Sequence, residues 1–436
     1  MIQTNSDKLH RYTAGELSAL GRDDIPQEFV THAHMVYSSP ATLAFNSPGA
    51  QGFGVKRAGL AVPGSVMLLV APGCCGRNTN LMDEMPEYED RFFFLLMDET
   101  DLVTGRHLRK IPKAVKEVTE YLEEKGKRPS CVMICITCVD ALLGTDMERV
   151  CQKAREAAGL PVRPCYMYAL TREGRKPPMT YVRESVYSML EPSGRKSTTV
   201  NLLGYFAHLR DDCELYELLK SAGIKKINEI SRCADYEEYL GMSQANFNLV
   251  LNAEARLAAQ DMEKRLDMPY IEMRRMYQLQ RIENQYASLG AAIGATFETG
   301  AYRESAQRAI DDFVSTHGSV RVALGEMANA DVFELALTMA QAGIDVPVIY
   351  GTVTEAEYPF IDELAAISPD TVIMANLAPS MVNYVGDEAF DIDLTVGKDA
   401  AWYHPTAAHV MWSEEVQPFG FEGVKELFEQ MKEALS

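Results

Sequence analysis

Residues 131–146 read Cys-Val-Met-Ile-Cys-Ile-Thr-Cys-Val-Asp-Ala-Leu-Leu-Gly-Thr-Asp. The first seven are apolar, Cys or Thr, which predicts a buried strand that ends at Cys138. The helix formers of residues 147–158 predict that a helix follows. Cys138 is therefore predicted to lie where a parallel strand leads into a helix, and open α/β sheets bind ligands at such strand ends. A nearby helix N-terminus also favours the thiolate form of a cysteine.

A second stretch repeats this arrangement. Residues 62–70 form an apolar strand candidate that runs into Ala-Pro-Gly-Cys-Cys-Gly, residues 71–76. If both strands belong to one sheet, Cys74 or Cys75 would join Cys138 at the same edge, which is how distant residues assemble a soft metal site. Either Cys74 or Cys75 could be the ligand, since adjacent side chains point in different directions. The alternative is that these cysteines simply pack as small hydrophobic residues.

The other cysteines are predicted to be structural. Cys131 and Cys135 share the strand face opposite Cys138, because side chains alternate along a strand. They are therefore expected to be core thiols. The four remaining cysteines have no partner by spacing and are also predicted to be structural: Cys151, Cys165, Cys213 and Cys233.

Composition excludes several classes of protein. The net charge of −20 argues against a nucleic-acid partner, whose phosphates the chain would repel. No apolar run approaches the roughly 18 residues of a membrane span. The N-terminus lacks a signal pattern, and an odd count of nine cysteines then indicates a reducing, cytoplasmic location. No Gly-x-Gly-x-x-Gly or Walker A motif is present, so we expect no nucleotide site on this chain.

Strand and helix candidates alternate along most of the chain, which predicts parallel sheets with right-handed crossovers. A chain of 436 residues is too long for one core. We predict an α/β fold with three Rossmann-like domains, each a parallel sheet flanked by helices, around a central cleft. The predicted division is a polar, Gly/Pro-rich extension and loop (1–60), three α/β domains (61–192, 198–300 and 301–400), and a C-terminal loop and helix (401–436).

Three motifs resemble those of nitrogenase component 1 and its relatives, and they occur in the same order. Gly73-Cys74 resembles the Gly-Cys of that family. Residues 99–105, Glu-Thr-Asp-Leu-Val-Thr-Gly, resemble its Glu-x-Asp-x-Val-x-Gly segment. Residues 138–146 resemble its Cys-x5-Gly-x-Asp motif, and a weaker likeness extends over nearly the whole chain.

The resemblance implies an iron–sulfur cluster at an interface between subunits. A [4Fe–4S] cluster has four ligands, which Cys74 and Cys138 of two chains would supply, as would a partner with more cysteines. In the family, a further cysteine ligand lies in the loop before the Gly-Cys turn. The corresponding residues here, 45–50, read Phe-Asn-Ser-Pro-Gly-Ala and contain no cysteine. The implied assembly is a homodimer, or a heterodimer with a homologue. The implied electron donor is an ATP-dependent iron protein.

A second site of the family holds a large metal cofactor through one Cys and one His. Here the Cys position holds Asn252, and the His falls near His409. An amide is a poor ligand for a soft metal, so no molybdenum is expected. For His409, a hydrogen-bonded loop histidine is the preferred interpretation and a metal ligand the alternative. The predicted cleft lined by Asn252 and His409 would hold an organic substrate or stand empty beside a catalytic partner.

The resemblance therefore implies an oxidoreductase that reduces a small molecule or a tetrapyrrole rather than dinitrogen. Related enzymes reduce protochlorophyllide and nickel-sirohydrochlorin. Arg77 and Arg106 could contact an anion or a partner near the cysteine edge, or could form an ordinary solvated rim. The alternative function is a non-catalytic scaffold for a metallocofactor, or a small-ligand binding protein.

Overall fold

The computed structural model describes residues 9–29, 50–73, 88–137, 143–166, 176–194 and 196–436. Its strands are β1 (Arg11–Thr13), β2 (Val66–Ala71), β3 (Phe92–Leu96), β4 (Val132–Ile136), β5 (Val162–Tyr166), β6 (Thr199–Leu203), β7 (Lys226–Asn228), β8 (Phe247–Val250), β9 (Tyr270–Glu272), β10 (Arg321–Gly325), β11 (Asp345–Gly351), β12 (Val372–Ala375), β13 (Leu394–Val396) and β14 (Ala408–Val410).

Helices separate most of these strands. The α-helices are α1 (Ala14–Leu20), α2 (Ala50–Gly59), α3 (Glu99–Thr104), α4 (His107–Glu124), α5 (Met147–Ala158), α6 (Pro178–Tyr187), α7 (Glu214–Ser221), α8 (Tyr236–Gly241), α9 (Arg256–Leu266), α10 (Leu279–Ile293), α11 (Gly300–His317), α12 (Val332–Gln341), α13 (Tyr358–Ile367), α14 (Lys398–Tyr403) and α15 (Gly420–Ala434). Within the described ranges, no helix is long and apolar enough to cross a membrane.

The strands form three sheets. The first has the order β3-β2-β4-β5 and the second β7-β6-β8-β9, and every pair in both is parallel. The third has the order β1-β12-β11-β10-β13-β14 and is parallel except at β1, which runs antiparallel to β12. The predicted α/β class, with parallel sheets flanked by helices, is confirmed.

The central strands of the first sheet are buried on both faces. Every residue of β2 and β4 is buried, as expected for parallel strands covered by helices. Odd-numbered residues of β4 pack into one apolar cluster and even-numbered residues into another. Cys131 and Cys135 lie in the first of these clusters and are fully buried, so their prediction as core thiols is confirmed.

A row of three buried asparagines crosses the second sheet. Asn201 of β6 is in register with Asn228 of β7 and Asn248 of β8. The Nδ2 of Asn201 donates to the Oδ1 of Asn248 at 2.9 Å, and the Nδ2 of Asn228 donates to the Oδ1 of Asn201 at 2.9 Å. A slip by one residue would leave these amides buried without partners, so the row fixes the register of the strands.

The chain divides into two compact units. One, called the two-sheet unit, comprises Ser47–His208 and Lys225–Met273 and contains the first and second sheets. The other, called the one-sheet unit, comprises Met1–Asn46, Leu209–Ile224 and Arg274–Ser436 and contains the third sheet. The division into three domains around a central cleft stays a prediction.

Two stretches that were predicted to be loops contain regular secondary structure. The Gly-rich stretch after Asn46 was expected to be a loop, yet residues 50–59 form α2, which buries Val55 and Ala58. At the end of this helix, a Cβ on Gly59 would lie 2.6 Å from the Cε of Met67 on β2 and 3.0 Å from the Sγ of Cys165 on β5, so both side chains would have to shift. Glycine thus lets the helix end pack closely on the sheet. The expected C-terminal loop also contains a strand, β14.

Candidate metal centre at the first sheet

The first sheet contains a point where its chain connections diverge. From β2 the chain crosses to β3 on one side, while β4 lies on the other side of β2. Val70 of β2 is in register with Ile136 of β4, so the two strands end side by side. Crevices at the carboxyl ends of such strands are the usual ligand sites of open α/β sheets.

The predicted ligands follow these two strand ends in the sequence. Gly73 and Thr137 are the last described residues after β2 and β4. The next residues are Cys74 and Cys138. Four predicted site residues lie outside the described part of the chain: Cys74, Cys75, Arg77 and Cys138. The structure therefore brings together the two strands that lead to the cysteines, and the ligand assignments stay predictions.

Thr137 is the described residue that points most clearly to a ligand here. Its side chain is 1% exposed, and its Oγ1 has no hydrogen-bond partner in the part of the chain that the structure describes. Most buried polar groups are paired, and leaving one unpaired costs about 1–3 kcal/mol. The sulfurs of an iron–sulfur cluster accept hydrogen bonds. The orphaned hydroxyl and the buried strand ends Val70 and Ile136 therefore fit such a group.

The later residues of the Cys-x5-Gly-x-Asp motif have backbone roles. Gly144 has φ +63°, a left-handed conformation that favours glycine. The side chain of Asp146 accepts a hydrogen bond from the backbone N–H of Arg149 at 3.0 Å and so caps α5. The spacing of the motif therefore reflects a turn followed by a helix start. Sequence reasoning predicted the strand-to-helix change but not this capping contact.

Asp101 organises the segment that resembles Glu-x-Asp-x-Val-x-Gly. Its carboxylate is fully buried and accepts from Lys110 Nζ at 2.6 Å and from Arg106 Nε at 3.0 Å. The hydrogen bond from Lys110 is the main reason that the pKa of Asp101 falls to about 2. Arg106 also pairs with Asp98 at 3.3 Å. Its guanidinium thus holds its own segment together, and a contact of Arg106 with an anion or partner stays a prediction.

His107 is a second buried group with an unpaired atom, and sequence reasoning did not single it out for this. It is 3% exposed at the start of α4, and its Nδ1 lies 3.1 Å from the carbonyl oxygen of Asp101. Its Nε2 has no hydrogen-bond partner among the described residues. The sequence signal for this position is its place: His107 is the first residue of α4 and comes two residues after Gly105, the last residue of the Glu-x-Asp-x-Val-x-Gly segment.

The described cysteines are poor candidates for metal ligands. Burial raises the pKa of Cys131 and of Cys135 to about 12 and that of Cys233 to about 11. Burial also raises the pKa of Cys151 and of Cys165. A thiol with a raised pKa stays protonated at neutral pH, whereas metals bind the thiolate. Across the described ranges, no group of three or more His, Cys, Asp or Glu side chains is arranged to hold a metal ion.

Asn252 lies at the corresponding divergence point of the second sheet, where β6 and β8 end side by side. Its Oδ1 accepts from the N–H of Glu254 at 2.9 Å and caps a short 3-10 helix. Gly204 follows β6 with φ +128°, and a Cβ there would lie 2.6 Å from the Asn252 nitrogen. Buried Arg183 donates from Nε to the Gly204 carbonyl oxygen at 2.8 Å. Asn252 is therefore held in place by local contacts at the carboxyl edge of the second sheet, and its contact with a substrate or cofactor stays a prediction.

His409 lies on β14, at the edge of the third sheet, and not in a loop. Its Nδ1 is 2.9 Å from the Oγ1 of Thr395 on the neighbouring strand β13. This contact agrees with the interpretation of a hydrogen-bonded histidine. Asn252 and His409 belong to different units, and a cleft that they share stays a prediction.

Comparison with known proteins identifies relatives of this chain. The family model described as "Nitrogenase component 1 type Oxidoreductase" matches residues 50–436. Two similar curated proteins are nitrogenase iron-molybdenum cofactor biosynthesis proteins NifE. The one from Nostoc sp. is 27% identical over 50% of this chain, and the one from Rhizobium meliloti is 29% identical over 40%.

These matches cover only part of each relative. They span 48% of the Nostoc protein and 36% of the Rhizobium meliloti protein, so the aligned region is about half their length or less. A solved structure described as "Nitrogenase Cp1 at pH 6.5" superposes with a TM-score of 0.66. It covers 88% of this chain and 91% of its own, at 16% sequence identity. At that identity the likeness shows the fold alone.

Proposed function

Because this chain belongs to the nitrogenase component 1 type oxidoreductases, we propose that it is an iron–sulfur subunit of a reductase. It receives electrons from an ATP-dependent iron protein and passes them to a small molecule or a tetrapyrrole, not to dinitrogen. The observation that carries the proposal is the buried hydroxyl of Thr137, which has no hydrogen-bond partner among the described residues. It lies where β2 and β4 lead into the segments that contain Cys74, Cys75 and Cys138.

The proposed ligands are Cys138 and either Cys74 or Cys75 from each of two chains. Two chains together supply the four thiolates of a [4Fe–4S] cluster, whose chemistry is one-electron transfer. Burial raises the pKa of Cys131, just before β4, of Cys135 on β4 and of Cys165 on β5. The cysteines that follow β2 and β4 in the sequence are therefore the better candidates for ligands. The complex is a homodimer or a heterodimer with a homologue.

Asn252 supports a substrate other than dinitrogen. A carboxamide is a poor ligand for a soft iron–sulfur cofactor. In this chain the Asn252 Oδ1 is also occupied by the N–H of Glu254. We therefore propose that this sheet edge binds an organic substrate, or is unused beside a catalytic partner, and that the chain carries no molybdenum.

Reduction by an ATP-dependent iron protein tests this function. Anaerobically isolated protein should be brown, and its visible absorption should bleach when the iron protein and MgATP are added together. Omitting MgATP, or replacing it with MgADP, should leave the colour unchanged, because the donor needs nucleotide hydrolysis. Bleaching that is independent of ATP would contradict an iron-protein partner, and a colourless protein would contradict the cluster.

A scaffold for metallocofactor assembly is the second candidate. The names of the NifE relatives, which are cofactor biosynthesis proteins, favour it. A scaffold would transfer its metal group to a metal-free acceptor protein, whereas a reductase would keep its cluster through repeated turnover. Iron counted on the re-isolated chain after incubation with such an acceptor separates the two functions.

A further inference from the structure

Arg183 of α6 is a buried charge at the carboxyl edge of the second sheet. Among the described residues it is the one arginine with a buried side chain, and it is 4% exposed. Burying a charged group is costly unless the group is hydrogen-bonded and paired with an opposite charge. Burial accordingly lowers the pKa of Arg183, and the largest opposing effect comes from the charge of Glu254.

Neutral groups fix the Arg183 guanidinium in place. Its Nε donates to the carbonyl oxygen of Gly204 at 2.8 Å, and its Nη1 donates to that of Met179 at 2.9 Å. Its Cζ lies 4.8 Å from the centre of the Phe206 ring. A guanidinium held in this way presents its donors as a fixed, planar fork, which is the geometry that binds carboxylates.

Within the described ranges, Glu254 supplies the carboxylate that pairs with Arg183. Its Oε2 lies 2.8 Å from the Nη1 of Arg183, and its side chain is 42% exposed whereas that of Arg183 is 5% exposed. The pair thus joins a buried cation to an anion that is in contact with solvent. Because water solvates the Glu254 carboxylate when it moves away, replacing it by another carboxylate costs little, whereas leaving Arg183 unpaired costs much more.

This ion pair lies where β6 and β8 diverge. Gly204 follows β6, and Glu254 belongs to the short 3-10 helix that Asn252 caps after β8. The helix α6, which carries Arg183, packs against this 3-10 helix. Open α/β sheets form their ligand crevices at such divergence points, and this is the sheet edge of the proposed substrate site.

We propose that Arg183 binds a carboxylate group of the substrate, and that Glu254 is the counter-ion which this group replaces. This inference rests on the proposed function, because it names the chemical class of the organic substrate at the Asn252 edge. The side chain of Glu254 itself shows that a carboxylate oxygen fits against the Nη1 of Arg183. The substrate is therefore an organic acid, and Arg183 binds and orients it.

Thermal unfolding of the full chain in acetate tests this site, with acetamide at the same ionic strength as the neutral control. Glu254→Gln keeps the size of the side chain but removes the competing charge. Acetate should raise the melting temperature of this variant, because a ligand that binds only the folded state stabilises it. The wild type should need about fivefold more acetate for the same rise, which is the upper range for a partly exposed ion pair.

Asp261→Asn is the matched control from the same unit. Asp261 also pairs with an arginine that donates to backbone carbonyl oxygens, Arg265. Arg265 is 33% exposed and lies in the last turn of α9, at the far end of that helix from Asn252. This variant should respond to acetate as the wild type does. If Glu254→Gln responds no more than the wild type, or if acetamide acts as well as acetate, the carboxylate site is refuted.

Arg183 itself is tested in the Glu254→Gln background. Adding Arg183→Gln should abolish the response to acetate. If that protein does not fold, Arg183→Lys decides, since it keeps the charge but loses the planar fork. Its response should be smaller, and an undiminished response would overturn the inference.

None of these measurements needs iron. A missing acetate response in protein that carries its iron refutes the carboxylate site and leaves the proposed function intact. Wild-type protein without iron would instead refute the proposed function itself, whatever its response to acetate.

Discussion

Cys138→Ala is expected to abolish bound iron while the chain stays folded. Cys138 is the next residue in the sequence after Thr137, which follows β4, and in the proposed dimer its loss removes one thiolate from each chain. A [4Fe–4S] cluster with only two of its four protein ligands should not survive isolation. Iron and acid-labile sulfide per chain, with circular dichroism to verify folding, measure the effect.

Cys135→Ala is the matched control. Cys135 lies on the same stretch of sequence, but it is buried within β4 and burial raises its pKa to about 12. This variant should therefore keep its iron. The pair Cys74→Ala and Cys75→Ala then identifies the second ligand, because only one of the two should lose the cluster. Unchanged iron in Cys138→Ala would show that the ligand assignment is wrong.

The one-sheet unit is expected to be more stable at pH 5 than at pH 8. Burial raises the pKa of Glu334 to about 7, that of Asp399 to about 7 and that of Asp331 to about 6. Between these pKa values and the ordinary carboxyl pKa, the folded unit binds protons that the unfolded chain releases. The stabilisation from these protonated carboxyls is therefore complete below the ordinary carboxyl pKa and is lost as the pH rises to about 7. At about 1.4 kcal/mol per pH unit, Glu334 alone contributes about 3 kcal/mol.

Tryptophan fluorescence measures this effect in the right unit. The chain has two tryptophans, Trp402 and Trp412, and both belong to the one-sheet unit. The Nε1 of buried Trp412 donates to the Tyr277 hydroxyl at 2.6 Å, and the backbone N–H of Tyr277 donates to Glu334. Urea unfolding followed by this signal at several pH values therefore reports on the unit that contains Glu334.

Glu334→Gln keeps the shape of Glu334 but cannot ionise. Its free energy of unfolding should match that of the wild type near pH 5 and exceed it at pH 8 by up to about 3 kcal/mol. The charged groups that act on position 334, Asp331 and Arg281, are unchanged in this variant. Glu355→Gln, at an exposed position, should follow the wild type at every pH. If Glu334→Gln shows the same pH dependence as the wild type, burial of a carboxylate is not the cause.

Much of the first sheet could be predicted from sequence because its signals are local. Fully buried parallel strands read as continuous apolar runs, and β2 and β4 do so. The alternation along β4 also correctly placed Cys131 and Cys135 in the core. The order of the motifs pointed to the family that the match over residues 50–436 establishes.

Other features could not be predicted because they depend on contacts between distant residues. The residues around His409 do not predict a strand, because β14 is defined by its pairing with β13 and not by a local sequence pattern. The Gly-rich sequence of α2 suggested a loop, but its packing against the first sheet outweighs poor helix propensity. The lack of a hydrogen-bond partner for the Thr137 hydroxyl among the described residues likewise depends on the folded structure.

Metal analysis across the light-scattering peak of anaerobically isolated protein tests the central claim most directly. The claim is that two chains share one [4Fe–4S] cluster and that neither carries molybdenum. We expect a dimer with about four iron atoms per chain pair, matching sulfide and no molybdenum or vanadium. An iron-loaded monomer would contradict the shared cluster. Stoichiometric molybdenum or vanadium on this chain would contradict the proposal that it reduces something other than dinitrogen.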